Sequence, residues 1–449
     1  MRGNTRIRCV FFVLLLGTAL AAAPAFALAP GGAGAIVTVP ISGTDDTAYA
    51  AAVDPAGNLV MAGATSTGLS ALAGIVASGD VDPLFGIDGI ITYNLSTGTE
   101  SLFALVRMAD GRYVGCGVFF SPGTGNDFFV ARYLADGSLD ASFNGAGYAV
   151  TSFLPAGGGA LLFDQCNAVA VASDNSVVAA GETDETGPSH VGVMRFTSDG
   201  TLDAGFASGG RLDIDGAASP TANSAAHALW IQPDGKVVIA GYAGGTSNND
   251  VLVVRLNANG TLDQTFADHG IARTPIGAGE DIANAVMVQP DGRIVVAGSA
   301  VMSVGRRDFV IARYTSTGAL DPTFGTGGFT TTPIGPSDDI AYALTRMPWG
   351  RYVAAGSARI DPSATGTDVA LVSYNDDGSV DRYFGQDGIV MLDVLNHTDT
   401  IYGLAQDIDG EHFWATGNAA VTTNQDFLAV EFGLDDTIFR HGFDTNTAP

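Results

Sequence analysis

Short apolar, β-branched runs broken by Gly, Asp and Pro recur from one end of this chain to the other. In ANAVMVQPDGRIVVAGSA (residues 283–300), two such runs, Ala285 to Gln289 and Ile294 to Gly298, flank Pro290-Asp291-Gly292. Apolar runs joined by turn chemistry predict a β-hairpin. HALWIQPDGKVVIAGYA (227–243), FALVRMADGRYVGCGVF (103–119) and YALTRMPWGRYVAAGSA (342–358) are versions of the same hairpin. After each comes a polar loop, a third apolar run, an Asp-Gly type turn, the element Leu-Asp-x-x-Phe and a fourth run.

Two independent markers give the period. The glycine ending the second strand recurs as Gly63, Gly117, Gly181, Gly241, Gly298, Gly356 and Gly417, seven marks whose six intervals average 59 residues. Val81-Asp82, Leu139-Asp140, Leu202-Asp203, Leu262-Asp263, Leu320-Asp321 and Val380-Asp381 share that spacing. Three positions after each Asp stands a Phe: Phe85, Phe143, Phe206, Phe266, Phe324 and Phe384. Four strands per unit of this size predict an all-β propeller, whose known repeats run to roughly 40–50 residues. The coils of a β-helix are much shorter, and its open ends need caps.

The ends of the repeat array predict how the ring closes. IVTVPISGTDDTAYA (36–50) aligns without a gap to IARTPIGAGEDIANA (271–285), so the array opens on a fourth strand with no first three. At the other end, 399–417 supplies two strands and DFLAVEF (426–432) a third; LDDTIFRHGFD (434–444) then echoes Leu-Asp-x-x-Phe with no fourth strand after it. Pairing the two deficits seals the edges. The expectation is a single seven-bladed β-propeller of four-stranded blades over 28–449, its last blade completed by residues 35–42. The repeats fall at about 45–98, 99–162, 163–222, 223–279, 280–337, 338–397 and 398–444.

QPDGKVVIAGYA (232–243) with VLVVRLNANGTLDQTF (251–266), and QPDGRIVVAGSA (289–300) with DFVIARYTSTGALDPTF (308–324), resemble the bacterial delta-60 repeat family. Repeats one, three and seven depart from its pattern at Ala56-Gly57, Asp174-Asn175 and Asp409-Gly410. The resemblance implies an exported propeller repeat protein and brings no activity with it.

Composition adds a location. Arg2, Arg6 and Arg8 precede an apolar run from Val10 to Ala23, and Ala25-Phe26-Ala27 has the small-x-small cleavage pattern. Fourteen apolar residues are too few to span a bilayer, so 1–27 reads as a signal peptide and no transmembrane segment is expected. The chain carries −27; losing three Arg leaves 17 basic against 47 acidic residues, or −30. That balance argues against nucleic acid and anionic membrane surfaces. Protein or glycan partners, a secreted or envelope location and a monomeric state are expected.

Candidate chemistry sits just before the first strand of each unit, at Asp46, Glu100, Asp164, Ser224, Asp281, Asp339 and Asp399. Six acidic groups ringing one channel mouth would repel one another or recruit Ca²⁺. The plainer reading is that each carboxylate accepts backbone N–H bonds at its strand start. Three residues on, Tyr49, Phe103, Asn167, His227, Asn284, Tyr342 and Tyr402 vary within the fixed frame, as a ligand-facing ring would. The Asp of Leu-Asp-x-x-Phe is loosely similar to calcium loops. It is better read as fixing a turn, with Arg132, Arg195, Arg255 and Arg313 as partners. Cys116 and Cys166 fall at blade ends on the same rim, where either a disulfide or two buried thiols would fit.

Nothing assembles a nucleophile. The histidines share no spacing, no Gly-x-Ser-x-Gly elbow occurs, and the glycines sit at turns and strand ends. Trp230, Trp349 and Trp414 fall at hairpin positions and read as packing. The loops between second and third strands, such as 119–127 and 358–368, differ most and are where recognition is expected. The leading reading is a non-enzymatic exported binding or scaffold protein recognising protein or glycan through these loops. Two others stand beside it: a metal-dependent hydrolase or lactonase with a cation at the acidic mouth, and a purely structural surface module.

Overall fold

The computed structural model describes residues 33–153, 162–184, 187–217, 221–244, 248–303, 305–359, 366–394, 398–406, 410, 412–421 and 424–433. The expected signal peptide, Asp409, and the 434–444 echo of Leu-Asp-x-x-Phe lie outside them. Among the described residues there is no helix, and so none long and apolar enough to cross a membrane.

The alternating runs become seven antiparallel four-stranded sheets. Blade one is Asp46–Val53, Leu59–Thr65, Ser70–Ile75 and Ile90–Tyr93. Blade five is Asp281–Val288, Ile294–Ser303, Arg306–Tyr314 and Phe329–Thr332. The first strand of each blade contacts the first strands of both neighbours, so these seven strands surround the channel. Blade two gains a short parallel addition, Leu162–Phe163, on its third strand.

Blade seven is composite. Its chain-order strands Asp399–Gln406, His412–Val421 and Asn424–Gly433 are completed by Ala33–Val39, which pairs antiparallel with the last of them, Ile36 opposite Val430 and Val39 opposite Phe427. The closing strand thus starts two residues earlier than the sequence pattern placed it. It removes the open edge that each partial repeat would leave.

Between blades the core is mostly apolar. Second and third strands read as continuous buried runs because both their faces meet a neighbouring blade; in blade six, Tyr352–Ala358 is buried throughout. Four of the six Leu-Asp-x-x-Phe elements add a clamp. Arg132, Arg195, Arg255 and Arg313 place Nε 2.7–2.8 Å from Asp140, Asp203, Asp263 and Asp321. Their guanidinium groups lie 4.5–5.6 Å over Phe143, Phe206, Phe266 and Phe324. Each also donates from Nη1 to a carbonyl of the next blade, at Ser198, Ala258, Ser316 and Asp376. A fixed turn, a paired cation and an inter-blade bond therefore come from the five-residue motif and the Arg eight positions before its Asp. Blade one has Gly74 where the Arg would stand, and a Cβ there would meet Phe85 at 2.7 Å. In blade six the Asp is met instead by Arg351, 3.1 Å from Asp381.

Cys116 and Cys166 are joined by a disulfide between blades two and three. Trp414 is buried in the core, whereas Trp230 and Trp349 are 38% and 40% exposed; these two pack less than their hairpin positions implied.

Candidate functional site

Each first strand carries one defect, and the defects build the site. Pairing with the second strand slips between Ala48 and Ala50, Leu102 and Ala104, Cys166 and Ala168, and at the matching place in the other four blades. The residue skipped is Tyr49, Phe103, Asn167, His227, Asn284, Tyr342 or Tyr402. A bulge leaves one residue outside the ladder and re-aims its side chain. The marker glycine opposite is what admits it. A Cβ on Gly298 would stand 1.9 Å from the Ile282 carbonyl oxygen, and the other six glycines meet the same obstruction. The period of 59 is thus the period of a bulge, and the variable ring is the set of bulged side chains.

These seven half-buried side chains, with Gln165, Glu182 and Tyr242, line a cavity of about 330 Å³ on the ring axis. It is two-sided. Tyr342, Tyr402, Tyr49 and Phe103 form an unbroken aromatic arc through blades six, seven, one and two, with ring centroids 5.0, 5.3 and 5.1 Å apart. The remaining arc is polar and held in one arrangement. Asn167 Nδ2 donates to the Ala226 carbonyl at 2.9 Å, and Gln165 Nε2 donates to Asn167 Oδ1 at 2.6 Å. Asn284 Nδ2 donates to the Ala341 carbonyl at 2.8 Å, so its Oδ1 accepts from His227 Nδ1 at 2.9 Å. That network puts the His227 proton on Nδ1 and leaves Nε2 as an acceptor. Burial pushes the imidazole pKa down and keeps it neutral. Glu182 is the one carboxylate of the lining; burial first, then the charge of Asp184, raises it. Tyr242 is raised by burial and then by Glu182 and Glu280.

The six acids of the predicted ring are elsewhere. Asp46, Glu100, Asp164, Asp281, Asp339 and Asp399 are all fully buried and do not line the cavity. One oxygen of each takes backbone N–H groups from the preceding loop: Ile41 and Ser42 for Asp46, Leu95 and Ser96 for Glu100, Ile276 and Gly277 for Asp281. Phe153 does the same for Asp164, Ile334 and Gly335 for Asp339, and Val394 for Asp399. Ser224 in blade four accepts from Gly216 through its hydroxyl.

Sequence reasoning missed the groups these acids meet. A carboxylate at the start of the preceding blade's third strand acts on each of four, Asp127 on Asp164, Asp250 on Asp281, Asp308 on Asp339 and Asp368 on Asp399, and at a fifth joint Asp46 acts on the third-strand Asp426. Burial, reinforced by Asp393 and Asp368, pushes Asp399 up to about 8. Burial, with Asp46 and Asp45, takes Asp426 to about 6. The signal was present, an Asp opening the third apolar run in five of seven repeats. Glu182 and Tyr242 also had a signal. Each directly follows a marker glycine, where other repeats carry Ala64, Val118, Ser299, Ser357 and Asn418.

Arg306 and Arg307, the basic spot in the acidic surface, are engaged. Arg306 donates to the Pro336 carbonyl at 2.7 Å, and Arg307 pairs with Glu280 and Asp338.

Four segments, 109–143, 172–206, 232–266 and 289–324, match a family model described as a domain of unknown function (DUF5122) β-propeller. Each runs from the first hairpin turn to the Phe of Leu-Asp-x-x-Phe. No curated protein matches the chain. Among solved structures, a catalytically inactive virginiamycin B lyase from Staphylococcus aureus, crystallised with quinupristin, is similar over 89% of this chain and 99% of its own. Its identity is 12% and its TM-score 0.50. The WD40 repeats of RRP9 are similar over 90% and 99%, at 8% identity and a TM-score of 0.51. At such identities the likeness is one of fold alone. Repeat, ring and match together identify the chain as a β-propeller repeat protein, similar over four of its seven blades to the DUF5122 propellers.

Proposed function

We propose that this chain is a non-enzymatic binding protein, exported on its N-terminal leader to the envelope or exterior, and that it recognises glycan in the axial cavity. The observation that carries the reading is the division of the bulged ring. Where the scaffold repeats faithfully, these positions break its pseudo-symmetry into an aromatic arc and a polar arc. A sugar has the matching surfaces: C–H faces that lie on aromatic rings, and hydroxyls that meet amide, carboxylate and imidazole groups. About 330 Å³ is the lower end of small-ligand cavities and suits one or two sugar rings. The variable loops that the sequence favoured then act as a rim around the cavity.

The test is calorimetric titration with a panel of di- to tetrasaccharides. Tyr402→Ala, at the centre of the aromatic arc, should weaken a bound saccharide at least tenfold, about 1.4 kcal/mol. Glu182→Gln should weaken it less and shift preference within the panel. If no saccharide binds at millimolar concentration, or a bound one ignores Tyr402→Ala, the reading fails. Chromatography of the same mixtures checks for cleavage products, which would replace binding with turnover.

A further inference from the structure

The joint between blades six and seven departs from the other joints at one residue. The carboxylate that opens each first strand is held by the loop before it, and the residue leading into that contact is Pro40, Asn94, Ser152, Pro275 or Pro333 at five joints. At the sixth, which ends on Ser224 in place of an acid, it is Asp215. At the blade six to seven joint it is Asp393, next to a full set of acids. Asp368, at the start of the third strand Asp368–Tyr374, and Asp399, at the start of the first strand of blade seven, converge with it. One carboxylate oxygen from each lies within 4.8 Å of the others.

A second observation is independent of that clustering. Asp399 is fully buried; its Oδ2 accepts the Val394 N–H at 2.6 Å, and its Oδ1 has no hydrogen-bond partner among the described residues. An unmatched buried carboxylate oxygen is costly. At two other joints a hydroxyl meets the corresponding atom: Ser42 Oγ on Asp46 Oδ1 at 2.6 Å, and Ser70 Oγ on Glu100 Oε1 at 3.1 Å. Asp164, Asp281 and Asp339 also keep a bare Oδ1, but Ser152, Pro275 and Pro333 leave those joints with two carboxylates each.

We propose that Asp368, Asp393 and Asp399 hold one Ca²⁺ across the joint between blades six and seven. Oxygens that all lie within 4.8 Å of one another are inside the span of two Ca–O bonds of about 2.4 Å, and three carboxylates on one ion suit Ca²⁺ better than Mg²⁺, which keeps most of its water and takes one or two. Three carboxylates supply three to six oxygens, and Asp393 is exposed, so water completes the shell from outside. The ion answers the bare Asp399 oxygen and ties the third strand of blade six to the first of blade seven. It is separate from the axial cavity and stands or falls without it.

Calcium titration of the chelator-treated full chain, by calorimetry and by thermal unfolding, tests this. The expected result is one Ca²⁺ per chain and a midpoint raised by about 3 °C at one hundred times the dissociation constant. Asp393→Asn, at an exposed position that leaves the fold intact, should weaken binding at least tenfold, and Asp393→Pro should do the same. Asp308→Asn, the counterpart of Asp368 one joint back, should leave it unchanged. Absence of binding at millimolar Ca²⁺, a response that survives Asp393→Asn, or an equal loss in Asp308→Asn would each overturn the proposal.

Discussion

Replacing Asp321 by Ala strips the partner from a cation the fold has buried. Arg313 and Asp321 expose only 3% and 6% of their side chains and meet at 2.8 Å. Arg313 also spends Nη1 on the Asp376 carbonyl at 2.6 Å and lies 4.6 Å over Phe324, so it has no route to solvent without opening the joint between blades five and six. Removing one member of a buried pair costs about 3–5 kcal/mol. With an unfolding entropy of about 2.1 cal/mol/K per residue over roughly 400 folded residues, that is a fall of about 4–6 °C in Tm. The repeat supplies its own control. Arg195 and Asp203 make the same pair in blade three at 2.7 Å, but their side chains are 23% and 19% exposed. Water reaches them, and Asp203→Ala should cost about 1 kcal/mol, near 1 °C. Differential scanning calorimetry of the two variants against the parent reads the difference. Equal losses, or a larger loss for Asp203→Ala, would refute burial as the source of the clamp's worth.

The same clamps set the acid limit of the fold. Burial alone would raise the Asp321 carboxyl, but the Thr323 hydroxyl and amide and the Arg313 charge outweigh it and hold the pKa below the ordinary value. Asp140 and Asp263 are lowered the same way against burial, first by Ser142 and Thr265. A depressed folded pKa means stability that is present above the unfolded value, near pH 4, and lost as pH falls below it. Tm should therefore drop steeply below about pH 4, and less steeply in Asp321→Asn; parallel pH profiles would count against the assignment. Gly298→Ala drives a Cβ to 1.9 Å from a backbone oxygen, so it should cost well over the ~1–3 kcal/mol of ordinary overpacking. A calorimetric Tm within 2 °C or so of the parent would show that the bulge tolerates a side chain. Cys116 and Cys166 are 50 residues apart in sequence and bonded, and chain-entropy arguments give such a link about 4 kcal/mol. Replacing both by Ala, the residue at Ala62 and Ala226 in other blades, should lower Tm by about 5 °C; an unchanged Tm would place the link's effect in neither state.

Architecture was legible because a propeller writes its period into its turns. Seven glycines and six Leu-Asp-x-x-Phe elements mark one interval, and the complementary deficits at 36–50 and 399–432 dictate closure. The Arg partners of the Leu-Asp-x-x-Phe acids were legible too, since a buried Asp in a fixed frame needs a donor in that frame. What a single repeat cannot show is direction. The opening acids and the residues three further on both looked ring-forming, and only the bulge decides which set faces the channel. It swings Tyr49 and its equivalents inward and leaves Asp46 and its equivalents on backbone amides. The bulge is invisible in the pattern because the residue it displaces may be anything, and the only trace it leaves is the glycine opposite.

Cross-blade partners were illegible for a related reason. Asp399 and Asp368 are 31 positions apart and belong to different repeats, so no alignment of repeats puts them side by side. The joint does so by setting the start of one blade's first strand against the start of the previous blade's third. Once that geometry is known, a departure such as Asp393 for Pro acquires meaning, because its neighbours can be named. The same holds for the cavity. Tyr342, Tyr402, Tyr49 and Phe103 lie in four repeats and become one aromatic surface only when blade seven meets blade one. Closure by Ala33–Val39 therefore does more than hide an edge. It brings Tyr402 against Tyr49, and a variant that unpaired this strand should lose the aromatic arc along with the ring.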